Sequence, residues 1–213
     1  MMASVAWTAD PFEMPGEGRM RTRAASRMFR AAALIALTAG IVVLAVRHFH
    51  IKHFDTVRTD VLYRSGQPDG ADWERLYYKY HIRTVVNLRS ENERSQGDWY
   101  DIERQKAAEY GMTLIDLPME PSTPAPEQAR RFLAAVTDRA NWPVLVHCEV
   151  GRDRTGTLVA LYRMQVQGWS LEQALADMGN HDGHPDKPEI VEFLRTFAPA
   201  EPAATAPEPT IDP

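Results

Sequence analysis

The chain has 213 residues, a formal net charge of −5, 44% hydrophobic residues and one cysteine. Its length allows one domain of ordinary size plus extensions, and its hydrophobic content is normal for a globular protein. The mildly acidic charge argues against a nucleic-acid-binding protein, and a single cysteine excludes an intrachain disulfide.

An uncharged apolar run lies near the N-terminus, from Ala31 to Val46, with arginines before it and Arg47 after it. We predict a cytoplasmic segment over 1–28 and a transmembrane signal anchor over 29–47, because snorkelling arginines extend a run that is somewhat shorter than about 20 residues. The arginines keep the N-terminus in the cytoplasm, so the catalytic domain would lie on the periplasmic or extracytoplasmic side of the inner (cell) membrane. A cleaved signal peptide followed by export, and a buried soluble helix, are the alternatives.

The rest of the chain divides into a basic linker over 48–60, a domain over 61–197 and a disordered Pro/Ala-rich tail over 198–213. Hydrophobic strands and helical patterns alternate through the domain. The predicted strands are 61–65, 82–89, 112–119 and one that runs from 144 to Cys148; the predicted helices are 72–80, 99–110, 127–139, 157–164, 170–178 and 188–197. This order predicts an α/β fold with a central, largely parallel sheet flanked by helices, and an active site at the C-terminal edge of the strands.

The only cysteine, Cys148, follows an apolar strand and opens a short loop that leads into a helix. Gly151 and Gly156 allow the backbone to curl there, so the loop N–H groups and the helix N-terminus converge on a small anion-binding volume. That helix N-terminus, together with Arg152 and Arg154, favours the thiolate form of the cysteine. Arg154, six positions after the cysteine, is placed to grip two oxygens of a phosphate with its planar guanidinium.

These residue types predict covalent catalysis of phosphate transfer. Cys148 attacks phosphorus in line, the alcohol departs, and water hydrolyses the phosphocysteine. Thr155 would stabilise the sulfur as leaving group in the second step by donating a hydrogen bond.

The segment from His147 to Gly156 resembles the signature loop of the protein-tyrosine and dual-specificity phosphatase superfamily, His-Cys-x-x-Gly-x-x-Arg-Ser/Thr-Gly, at every fixed position. The resemblance implies a bacterial dual-specificity-like cysteine phosphatase domain that uses no metal and no cofactor. Its catalytic residues would be Cys148, Asp153, Arg154 and Thr155, and its phosphate-binding residues Glu149, Val150, Gly151, Arg152, Asp153 and Arg154.

The general acid is the least defined part of this mechanism. Members of the superfamily usually place it on a separate mobile loop before the cysteine. Asp116 and Glu120 lie in that region, Asp116 inside a predicted strand and Glu120 in the proline-rich loop after it. Asp153 is the favoured candidate, since the Gly-x-Asp-Arg-Thr-Gly form resembles a bacterial subgroup in which the loop aspartate has been proposed to transfer the proton. Trp142 with its following proline superficially resembles an acid loop but lies too near the cysteine.

Other polar residues receive structural interpretations. We expect His147 to orient the loop through hydrogen bonds, and His181 and His184 to belong to a turn, not a metal site. The charged segment 89–94 either reaches the active-site face or is a solvated connection. Arg152 either contacts a second phosphate or an inositol ring, or faces solvent.

The predicted function is a monomeric phosphatase acting on phosphotyrosine, phosphoserine or phosphothreonine in proteins. A phosphoinositide or other lipid phosphate is the alternative substrate, favoured by a membrane contact through residues 29–47. A catalytically silent phospho-binding membrane module and a rhodanese-like sulfurtransferase are the alternatives from other classes.

Overall fold

A computed structural model describes residues 28–42, 51–120 and 123–197. The chain divides into two units, residues 1–48 and residues 49–213. In the first unit, residues 28–42 form helix α1, whose side chains are exposed.

The prediction of a single-pass inner-membrane protein anchored by residues 29–47 is wrong. Within the described ranges, no helix is both long enough and apolar enough to cross a membrane. Helix α1, over 28–42, contains most of the predicted anchor, whereas 43–47 and the predicted 198–213 tail lie outside the described residues.

The second unit alternates strands and helices. Its strands are β1 (Asp55–Arg58), β2 (Leu62–Ser65), β3 (Thr84–Asn87), β4 (Thr113–Asp116) and β5 (Val144–His147), and its helices are α2 (Asp72–Tyr78), α3 (Glu91–Arg94), α4 (Trp99–Glu109), α5 (Pro126–Thr137), α6 (Asp153–Gln167), α7 (Leu171–Asn180) and α8 (Pro188–Arg195).

The strands form one sheet in the order β1-β2-β5-β3-β4. All neighbours among β2, β5, β3 and β4 are parallel, and β1 pairs antiparallel with β2 at the edge. The predicted α/β fold with a largely parallel sheet is therefore confirmed. The predicted linker 48–60, however, contains strand β1, and Val57 of that strand and Ile51 before it are buried.

Both faces of the sheet are covered, as expected for parallel strands. Side chains alternate along β5: Val144 and Val146 pack in the core formed with α5 to α8, whereas Leu145 packs in the core formed with α2 and α4. The same alternation turns His147 toward α4 and carries Cys148 toward α6. The strand thus fixes which layer His147 and Cys148 face.

Candidate active site

The candidate active site lies where four parallel strands end at the same level. Ser65 of β2 is paired with His147 of β5, His147 with Asn87 of β3, and Asn87 with Asp116 of β4. The loops that follow these strands are therefore neighbours, and they carry nearly all the candidate residues.

Cys148 lies at the start of the loop between β5 and α6 and is 2% exposed. The backbone N–H of Gly151 donates to its sulfur over 3.2 Å. Helix α6 begins at Asp153, so its N-terminal peptide dipoles lie directly after this loop. Thr155, in the first turn of α6, is fully buried, and its hydroxyl has no hydrogen-bond partner among the described residues.

Gly151 is required by two constraints. Its φ is +89°, a conformation that L side chains rarely adopt. A Cβ at this position would lie 2.5 Å from the backbone nitrogen of Gly66 and 2.6 Å from the carbonyl carbon of Ser65. The loop therefore packs backbone against backbone on the turn after β2.

Arg154 points toward the end of β3, where its guanidinium forms a forked ion pair with Glu93. Its Nη2 donates to Glu93 Oε1 over 3.0 Å, its Nη1 donates to Oε2, and Nη1 also lies 3.5 Å from the carbonyl oxygen of Leu88. Burial lowers the pKa of Arg154, but the hydrogen bonds to Glu93 and the nearby Cys148 raise it above its ordinary value. Burial raises the pKa of Glu93, yet hydrogen bonds from Arg154 and the Ser90 backbone lower it to about 2. Both groups are charged at neutral pH.

The charged segment 89–94 contacts the candidate active site through Glu93. This favours the first of the two predictions for the segment, that it reaches the active-site face, over a solvated connection. Ser90 and Glu93 form a capping box that begins helix α3. Arg89 stacks 3.6 Å above the ring centroid of Trp99 and donates to Glu93 over 3.3 Å. Sequence reasoning missed Glu93, although the spacing of Ser90 and Glu93 is a recognisable helix-start signal.

His147 ends β5, directly before the cysteine, and is buried. Its Nε2 is 3.3 Å from a carboxylate oxygen of Glu103, and both side chains are fully buried. Gln67 donates to the same Glu103 oxygen over 2.7 Å and accepts from Arg89 over 3.3 Å. These contacts link His147 to Arg89 through Glu103 and Gln67. Arg89 in turn is hydrogen-bonded to Glu93, the partner of Arg154.

The three acid candidates have different surroundings. Asp153 accepts from Lys187 Nζ over 2.6 Å and from the backbone N–H of His184 over 3.1 Å. Burial raises the pKa of Asp153, but the hydrogen bonds from Lys187 and His184 lower it below its ordinary value. Asp116 is engaged by Arg94 over 3.0 Å and by the Tyr100 hydroxyl over 2.6 Å.

Glu120 is exposed and follows Met119, whose N–H donates to the Leu88 carbonyl over 3.2 Å. Arg154 approaches the same carbonyl oxygen of Leu88. Glu120 therefore directly follows a residue, Met119, whose backbone contacts the candidate site. Trp142 precedes β5, at the end of the strand opposite Cys148.

The two histidines of the 181–184 turn have different partners. His181 Nε2 lies 2.6 Å from an oxygen of Asp55, whereas His184 Nδ1 lies 2.8 Å from an oxygen of Asp153. Within the described ranges, no group of three or more His, Cys, Asp or Glu side chains is arranged to hold a metal ion. Arg152, for which two roles were predicted, is partly exposed at the start of α6.

A family model described as "DSP-PTPase phosphatase fused to NAD+ Kinase" matches residues 46–192. The chain belongs to this family. It is a cysteine-dependent phosphoric monoester hydrolase, and the predicted superfamily is confirmed.

Curated relatives and solved structures agree with this assignment. The chain is 27% identical to the tyrosine-protein phosphatase-like protein OCA2 of Saccharomyces cerevisiae over 66% of this chain and 71% of that protein. It is 28% identical to the dual specificity protein phosphatase TpbA of Pseudomonas aeruginosa over 61% of this chain, and spans only 54% of TpbA. The catalytic core of the S. cerevisiae PP-IP phosphatase SIW14 has the same fold, with a TM-score of 0.59 at 21% identity over 71% of this chain and 88% of that one. The TpbA crystal structure gives a TM-score of 0.53 at 25% identity over 68% of this chain and 84% of that one.

Gly151→Ala should lose about 100-fold in phosphatase activity and lower the free energy of unfolding by about 2 kcal/mol, because the new Cβ clashes with the turn after β2 and displaces the loop amides. Gly97→Ala is the matched control, since Gly97 has φ +85° and, among the described residues, no atom beyond its chain neighbours lies within 4 Å of its Cβ position. It should cost only the backbone strain, about 1 kcal/mol, and keep full activity. Urea unfolding and initial rates test both variants, and equal effects would refute the packing argument.

Glu93→Gln should lower the free energy of unfolding at pH 7 by about 2 kcal/mol, because it removes a charge-assisted fork on Arg154. The folded pKa of Glu93 is depressed from 4.5 to about 2, so its stabilisation is present above pH 4.5 and is lost as the pH falls toward 2.

The difference in stability between wild type and Glu93→Gln should therefore shrink across this acid window, as measured by urea unfolding at several pH values. The control is Glu91→Gln on the same short helix, whose carboxylate is 67% exposed and pairs with Arg94. A wild type whose stability advantage over Glu93→Gln does not change with pH would contradict the assignment.

Proposed function

We propose that this phosphatase works through a phosphocysteine on Cys148, with Arg154 and the amides of residues 149–154 as the phosphate cradle. The observation that carries the proposal is the 3.2 Å hydrogen bond from the Gly151 N–H to the sulfur. A backbone donor aimed at sulfur stabilises the thiolate, which is the nucleophilic form.

The reaction then proceeds in two steps. The thiolate attacks phosphorus, the P–O bond to the leaving group breaks, and the leaving oxygen takes a proton from a general acid. Water next attacks the phosphocysteine, the S–P bond breaks, and inorganic phosphate and the thiolate are regenerated. The buried hydroxyl of Thr155, which has no hydrogen-bond partner among the described residues, is suited to stabilise that departing thiolate.

Glu120 is our proposed general acid. A proton donor must carry its proton in the reactive complex, and the lowered pKa of Asp153 leaves that carboxylate ionised. Asp116 is bonded to Arg94 and to Tyr100, which occupies both of its oxygens. Glu120 is exposed. Its neighbour Met119 donates a backbone hydrogen bond to the carbonyl oxygen of Leu88, which Arg154 also approaches.

Asp153 then takes a different role, as an anchor for the segment after α7. Its carboxylate ties Lys187 and His184 to the first turn of α6. A carboxylate in that turn also interacts favourably with the helix dipole.

Hydrolysis of p-nitrophenyl phosphate and phenyl phosphate by the full chain, with EDTA present, tests these roles. Cys148→Ser should abolish turnover of both esters. Glu120→Gln should reduce kcat by about 100-fold for phenyl phosphate and much less for p-nitrophenyl phosphate, whose leaving group needs little protonation. Asp153→Asn and Asp116→Asn should affect the two esters equally.

If the leaving-group-dependent loss appears in Asp153→Asn or Asp116→Asn, that residue is the acid. If the wild type binds vanadate without hydrolysing either ester, the enzyme assignment fails and the silent phospho-binding module replaces it. Thiosulfate turnover in place of phosphate release would indicate a sulfurtransferase.

Phosphorylated proteins are our proposed substrate class, in agreement with the tyrosine-phosphatase and dual-specificity names of the relatives. A soluble inositol phosphate is the second candidate. Lys187 brings a cationic group and His184 an imidazole next to the first turn of α6. An inositol diphosphatase of Arabidopsis thaliana, DSP3, is 28% identical over 65% of this chain.

Rates on phosphotyrosine, phosphoserine and phosphothreonine peptides, compared with rates on an inositol polyphosphate, separate the two classes. A protein phosphatase should have a kcat/KM for at least one peptide about 10-fold above that for the inositol polyphosphate. Lys187→Gln should then change peptide and inositol rates alike, whereas an inositol phosphatase should lose about 10-fold on the inositol substrate alone. The control for lost charge is Lys79→Gln, an exposed lysine just after α2.

A further inference from the structure

Three successive carbonyl groups of the signature loop are held from outside by the segment around β1 and β2. The backbone N–H of Gln67 donates to Glu149 O over 3.1 Å, and Arg64 Nη2 donates to Gly151 O over 2.8 Å. Between them, His53 Nδ1 lies 2.6 Å from Val150 O. With these carbonyls held on the outer side, the loop N–H groups remain available to the cradle.

The contact between His53 and the Val150 carbonyl shows which nitrogen of the imidazole carries a proton. A carbonyl oxygen only accepts hydrogen bonds, so Nδ1 of His53 must carry a proton and donate it to Val150. The C=O of Val150 and the N–H of Gly151 belong to one peptide group. That N–H donates to the sulfur of Cys148, so the imidazole and the sulfur lie at the two ends of one polarised peptide.

We propose that His53 is a positioning residue of the phosphatase loop, which strengthens the Gly151 N–H bond to the Cys148 thiolate by donating to the carbonyl of the same peptide. The inference rests on the proposed phosphocysteine mechanism. His53 does not contact the sulfur and acts only through this peptide.

The neighbouring contacts separate this role from general support of the fold. Arg64 is 1% exposed and Gln67 uses its backbone, so the flanking carbonyls stay held when the imidazole is removed. His53 itself is partly exposed, and its other nitrogen, Nε2, lies 3.7 Å from Asp182. Replacement of His53 should therefore change the reactivity of the Cys148 sulfur more than the free energy of unfolding.

The backbone of His53 supplies a matched pair of variants. Its φ is +46°, a region that Asn and Gly tolerate. Asn places an amide N–H close to the position of Nδ1 and keeps the donor, whereas Gly removes the donor without adding charge or strain. His53→Asn and His53→Gly thus differ in the bond to Val150.

Iodoacetamide alkylation of the full chain, followed against pH, measures the thiolate directly because Cys148 is the only cysteine. His53→Gly should be alkylated about 5-fold more slowly at pH 6, with the midpoint of its pH curve at higher pH, and kcat/KM for p-nitrophenyl phosphate should fall in parallel. His53→Asn should stay within about 2-fold of wild type in both assays. Asp182→Asn should match wild type if the bond to Val150 is the operative one.

Thermal unfolding of each variant accompanies these rates. An unchanged alkylation curve in His53→Gly would overturn the proposal, as would equal losses in His53→Asn and His53→Gly. If the wild type hydrolyses no ester but the alkylation curves still differ, the positioning role stands and the proposed function fails.

Discussion

The insertion of β5 between β2 and β3 is the constraint on which the site depends. Because the three strands are parallel and end in register, the loop after β5 emerges between the turn after β2 and the segment after β3. Gly151 packs against the first of these, and Arg154 reaches the second through Glu93. A parallel sheet buried on both faces allows little slippage, so register in the core sets the geometry of the chemistry.

Charge around the loop is arranged in two groups with opposite tasks. Donors on the outer side, from His53 to Gln67, hold carbonyl oxygens and so orient the peptides of the loop. Two carboxylates contact the side chains near the cysteine: Glu93 pairs with Arg154, and the buried Glu103 lies beside His147. His147 and Arg154 are thereby each oriented by a carboxylate, as preorganised catalysis requires.

Much of the fold was predictable because its signals are local. Apolar runs ending in turns identified β2 to β5, and the signature loop identified Cys148 and Arg154. Strand β1 escaped prediction since it is four residues long, carries charged ends and buries only Val57. The roles of Glu93, Glu103 and His53 could not be predicted, because each acts through a partner at least 44 positions away in the sequence. The membrane prediction failed where an apolar run of marginal length was extended by assuming that the flanking arginines snorkel.

The fork between Glu93 and Arg154 places a carboxylate against the guanidinium that we propose as part of the phosphate cradle. A phosphate that binds Arg154 must share the guanidinium with that carboxylate or displace it. Part of the favourable free energy of phosphate binding therefore offsets the loss of the ion pair. In the proposed mechanism the same exchange would favour the departure of inorganic phosphate, since the carboxylate would replace it. The ion pair would thus limit product inhibition and hold the arginine in place between turnovers.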